Sequence, residues 1–139
     1  MKNITLDTGV EEYCFAGGGV VRFNPTDPNL YERFVQMQPQ MKTLEKELTE
    51  KAEGLSGEDS VEATIALTVE ADRQVKQLLN QVFGGDNDFD KALGGVNLLA
   101  TAGNGQRVMA NLMTLLENIL AEGAERFAQD KADAIRQGR

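Results

Sequence analysis

The chain has 139 residues, with 22 acidic and 14 basic side chains, one cysteine, and neither histidine nor tryptophan. Lack of histidine removes Ser–His–Asp and Cys–His nucleophile pairs and imidazole metal ligands, and Cys14 alone forms neither an intrachain disulfide nor a thiolate cluster for zinc or iron–sulfur. A net charge of −8 disfavours an extended interface with a phosphate backbone, so no nucleic-acid partner is expected.

The size fits one domain, residues 1–139, that folds without disulfides or metal. No apolar run nears the roughly 20 residues of a membrane span. The first residues lack a secretory apolar core, and a lone thiol suits a reducing compartment. A cytoplasmic protein without membrane contact is the expectation.

Residues 1–24 carry strand signals. Asn3–Asp7 alternates polar and apolar residues, Thr8-Gly9 is a turn, and Val10–Phe15 puts Tyr13 and Phe15 on one face. Ala16 to Gly19 then breaks the pattern before Val20–Phe23. These three runs predict a small antiparallel β-meander, which must rest its apolar face on another element.

Asp27 and Pro28 form a helix start, one as N-cap and the other where its missing N–H is harmless. Leu30, Phe34, Met37, Met41, Leu44 and Leu48 follow as a heptad seam within a helix over 28–53, which Pro39 is expected to kink. Ser60 or Asp59 caps a second helix over 60–83 that uses Ile65, Val69, Val75, Leu78, Leu79 and Val82, and Gly84-Gly85 stops it. An irregular loop over 86–105 includes a helical turn at Asp88–Leu93. The last helix, over 106–130, has the widest apolar face and is expected to be the central core helix, with 131–139 a frayed tail. The predicted class is α+β, mostly α: a meander packed on a bundle of about three long helices plus a short turn.

Candidate sites are weak. Asp86, Asp88 and Asp90 resemble the start of a calcium loop, but Lys91 stands where the loop turn needs glycine and Asn97 where a bidentate glutamate belongs. A solvated turn with Asp88 as N-cap explains them better. Gly17-Gly18-Gly19 precedes a strand, and Gly103-Asn104-Gly105 precedes a helix without a phosphate-loop lysine, so both are turns. Glu47 and Lys51 are an ordinary surface pair, and Asp72 is expected to be neutralised by Arg73 or Lys76. Cys14 is expected to act as a small apolar residue. Met37 and Met41 suit either the core or an adaptable groove for a partner helix. No catalytic constellation, cofactor or metal site emerges.

Three strings carry a family resemblance: Val21 to Phe34 at the sheet-to-helix junction, Asn80 to Gly84 closing the second helix, and Lys91 to Leu99 leading through Gly103 and Gly105 into the last helix. With the order of elements, from about Ile4 to Phe127, the chain resembles the tail assembly chaperones of long-tailed, siphovirus- or myovirus-like bacteriophages. The resemblance implies a non-enzymatic protein of the host cytoplasm, absent from the mature virion. Such a protein binds the tape-measure protein, keeps its apolar helices soluble and assists polymerisation of the tail-tube protein. It implies no catalytic residues. On this view Met37, Met41, Leu44 and Leu48 form part of the client surface, and the seam also allows a homo-oligomer. The rival readings are a structural virion subunit for tail completion or connection, a small acidic secretion-type chaperone, and a binder of metal at Asp86–Asp90; an enzyme ranks last.

Overall fold

The computed structural model describes residues 1–55, 57 and 60–138. Two strands, β1 (Glu11–Cys14) and β2 (Val20–Phe23), pair antiparallel with Glu11 opposite Phe23 and Cys14 opposite Val20. The loop between them closes through Phe15 N–H to Gly19 O and Gly18 N–H to Phe15 O, both 2.8 Å, with Gly18 at φ +90°. Val21 and Phe23 point into the core, and Tyr13 stacks on Phe23 at 4.4 Å between centroids. Phe83 meets Phe23 edge-on at 4.9 Å, joining the hairpin to the helices.

The expected third strand does not form, and residues 1–10 are exposed without regular structure. The reason is local. The Asp7 carboxylate accepts from Gly9 N–H at 2.9 Å, Gly9 takes φ +72°, and Asn24 Nδ2 donates to Thr8 O at 2.9 Å. The chain is thereby drawn toward the end of β2 instead of folding back along β1. Beside β2, the Asn87 side chain accepts from Arg22 N–H at 2.8 Å and donates to Arg22 O at 2.7 Å, as a neighbouring strand would.

Helix α1 (Pro28–Glu53) begins as its sequence predicts, with Asp27 accepting from Asn29 N–H. It is continuous through Pro39. Both Pro39 and Val35, whose carbonyl loses its helical partner there, are exposed, so water can satisfy the lone acceptor. Helix α2 (Ser60–Phe83) runs back along α1 and ends at Gly84 and Gly85, both at positive φ. The alternative N-cap Asp59 lies outside the described residues. Helix α3 (Phe89–Ala92) is the expected short turn, with Asp88 accepting from Asp90 N–H and Lys91 N–H.

Helix α4 (Val108–Arg136) extends past the expected end, so 131–136 is helical and not frayed. Nor is it the central element. The closest pairing of helices is α1 with α2, and α4 approaches α1 more sparsely. Its buried residues, Met109, Leu112, Leu116, Leu120 and Gly123, recur at helical spacing and close the core from one side.

Burial along the α1–α2 pair is uneven. Leu30, Phe34, Met37 and Met41 are buried in α1, and Val75, Lys76, Leu79, Val82 and Phe83 in α2. Among the described residues from 42 to 74 none is buried. The pair therefore has a packed base and an outer end that stands clear of the core.

Tyr13 provides a reporter for the hairpin. Its phenol is pushed up to about 12, first by burial and then by the hydrogen bond its hydroxyl donates to Glu11 at 2.9 Å, with the Glu11 charge adding to the effect. Because the folded value lies above the unfolded one, this group's stabilisation is complete below the ordinary tyrosine pKa of about 10 and is lost as pH climbs toward the folded value. In Tyr31→Phe, phenolate absorbance should titrate near that raised value, and adding Glu11→Ala should bring it down. An unshifted curve in both variants would rule out the contact.

Candidate functional site

The outer end of the helical pair frames an open cleft of about 560 Å³. Leu48, Thr49 and Ala52 line it from α1, with Thr64, Leu67 and Thr68 from α2. Leu99, Arg107 and Met109 close the third side, and Glu45 and Glu53 stand at the rim. The apolar lining is reachable because no other element covers this end of the pair, so none of the described residues from 42 to 74 is buried. A second hollow, of about 370 Å³, holds Leu44 and Leu78 among Gln40, Gln74, Gln77 and Gln81.

The four candidate contact residues thus separate. Met37 and Met41 are 1% and 7% exposed and belong to the core, which corrects their assignment to a client surface. Leu44 and Leu48 are half-buried and each lines a hollow. The heptad seam does not distinguish these cases, because the same spacing continues after the covering element has ended. Ile65 and Val69, expected to pack, are 58% and 57% exposed, and with Val61 they form an uncovered stripe on α2. Cys14, expected to act as a small apolar residue, is exposed.

One side of the cleft is positioned by a buried ion cluster. Lys76 Nζ lies 2.8 Å from Asp72 Oδ2 and 2.7 Å from Asp90 Oδ1, and donates to Val96 O at 2.8 Å. Asp72 also accepts from Leu98 N–H at 2.7 Å. These bonds hold the 90–98 segment on α2, which places Leu99 at the cleft. Arg73, the other expected partner of Asp72, is taken by Glu70, whose carboxyl it holds below the usual range. Burial pushes the Lys76 ammonium down, but hydrogen bonds to Asp72 and Asp90 outweigh it and the net shift is upward. The expected Asp72–Lys76 pairing is thus present, whereas the reach of Lys76 to Asp90 and Val96, distant in sequence, has no local signal.

The calcium-like triad does not converge. Asp86 is exposed, Asp88 caps α3 and Asp90 binds Lys76. Among the described residues no group of three or more acidic or cysteine side chains is placed to hold a metal ion. The start of α4 is also occupied, since Val108 N–H bonds to Ala100 O and Met109 N–H to Leu98 O. The first two amides of α4 are thus engaged with the chain itself. No described helix is long and apolar enough to cross a membrane.

The geometry is that of a groove whose floor carries Leu48, Leu67, Leu99 and Met109 and whose rim carries Glu45 and Glu53. Comparison of the chain with protein-family models, with curated proteins and with solved structures finds no match.

Proposed function

We propose that this chain is a tail assembly chaperone of a long-tailed bacteriophage, which acts in the host cytoplasm by binding. Its client is the tape-measure protein, whose amphipathic helices it keeps soluble while tail-tube subunits polymerise. The observation that carries this reading is the outer end of the α1–α2 pair, where Leu48, Leu67, Leu99 and Met109 line an unfilled cleft. A transient client needs apolar surface that the chaperone does not bury for itself, held on a base that remains folded without it. The acidic charge limits self-aggregation of a protein exposing such surface. The resemblance of the three sequence strings supports the same assignment.

The test is co-expression with the tape-measure protein. Leu48→Glu combined with Leu67→Glu should reduce co-purification at least about tenfold, the effect of losing more than about 1.4 kcal/mol of binding, while leaving the thermal melt in place. Glutamate at Met41 tests the core and not docking. Unchanged co-purification would remove the cleft from the client surface. Mass spectrometry of purified virions should find the chain absent; stoichiometric presence would favour a structural tail subunit.

A further inference from the structure

Two apolar features have no cover among the described residues. The first is the amino-terminal segment, where Ile4 is 89% and Leu6 76% exposed. In an extended chain these side chains share a side with Lys2. The second is the stripe of Val61, Ile65 and Val69 on α2, 67%, 58% and 57% exposed. The stripe lies on the side of α2 away from Ala63 and Leu67, which share hollows with residues of α1. The two features match in pitch: neighbours in the stripe are about 6 Å apart along the helix, and Ile4 and Leu6 are about 6.8 Å apart in an extended chain.

We propose that Lys2–Leu6 of one copy lies along the Val61–Ile65–Val69 stripe of a second copy, and that the exchange is reciprocal. Reach points to a second copy. The segment is tied at Thr8 to Asn24, next to Phe23, which packs on Phe83. Ile65 lies about 27 Å from Phe83 along α2, whereas Ile4 extends at most about 14 Å beyond Thr8. Charge points the same way. From Ala52 to Asp72 the chain carries acidic side chains and no basic one, while Lys2 is the sole charged side chain from Met1 to Leu6. This acidity opposes packing two stripes face to face and favours the lysine-bearing segment, with Lys2 near Glu62.

The root of the segment and the stripe lie toward opposite ends of α2. A two-fold axis across the helix therefore sets each root beside the other copy's stripe, and the assembly closes as a dimer. This interface is independent of the client cleft and does not rest on the chaperone reading.

The test is sedimentation equilibrium of the full purified chain across the micromolar range. The wild type should show a concentration-dependent dimer. Ile65→Glu, and separately Ile4→Glu with Leu6→Glu, should each weaken it at least about tenfold through loss of apolar burial. At concentrations where the wild type is monomeric, their circular-dichroism melts should match its own, since all three positions are exposed in the single chain. Mixing the two variants should restore partial association, because one intact segment then meets one intact stripe. A wild type that stays monomeric overturns the proposal, as does a dimer insensitive to both variants. Failure of the mixture to associate more than either variant alone overturns the pairing of segment with stripe.

Discussion

Gly123→Ala should destabilise the protein by about 2–3 kcal/mol, the cost of forcing a methyl group into a packed contact. A helical glycine changed to alanine ordinarily gains up to about 1 kcal/mol. Here the gain is overridden, because a Cβ on Gly123 would fall inside the carbonyl group of Pro25. That carbonyl belongs to a buried residue of the junction between β2 and α1 and cannot swing aside like a flexible side chain. Gly19→Ala should behave similarly, since its Cβ would meet the backbone of Ala92. Gly54 is the control. It sits at φ −76°, and a Cβ there would come no closer than 3.5 Å to any neighbouring atom, so alanine should be neutral or stabilise by up to about 1 kcal/mol. Urea denaturation of the three variants measures the contrast, and equal stabilities would refute the close approach.

Lys76→Met should cost more, about 3–5 kcal/mol, because it strands a buried carboxylate. The side chains of Lys76 and Asp72 are 5% and 13% exposed, while Asp90 remains 60% exposed and can be hydrated. Replacing Asp72 by leucine as well should recover only part of the loss. An apolar pair of similar size often substitutes for a buried ion pair, but here Leu98 N–H and Val96 O would both lose their partners. The pH dependence has a definite sign. Since the folded Lys76 pKa is raised, the clasp contributes fully below lysine's ordinary value of about 10.4 and loses its contribution as pH rises through the folded value. The alkaline decline in urea midpoint should therefore be shallower in Lys76→Met. An identical decline in both proteins would mean that the clasp does not titrate as its geometry implies.

The elements most legible in the sequence were those whose chemistry is local. Asp27-Pro28, Asp88 and Gly84-Gly85 mark helix ends because capping and positive φ depend on immediate neighbours. The first four seam residues of α1 were legible as an apolar row and are buried. What periodicity does not encode is whether a partner covers the row. Leu44 and Leu48 continue it in α1, and Ile65 and Val69 belong to the same kind of row in α2, yet Leu44 only flanks the core and the other three lie outside it. The cleft follows from where the covering elements stop, a tertiary property. The missing third strand has a similar cause: alternation in Asn3–Asp7 is real, but Asn24, far along the chain, redirects the backbone. Lys76 illustrates the opposite case, a charge that the sequence presents as surface and that burial converts into a clasp.

The Asn87 clamp also bears on what the hairpin can join. An unpaired strand edge offers N–H and C=O groups as a template for other chains, and short sheets are exposed to that hazard. At Arg22 a side-chain amide from the loop after α2 occupies both groups. Growth of the sheet past β2 is blocked there without another strand, and β1 presents Glu11 and Glu12 on its exposed residues. A protein that keeps apolar surface uncovered at one end thus guards the backbone of its hairpin against runaway polymerisation at the other.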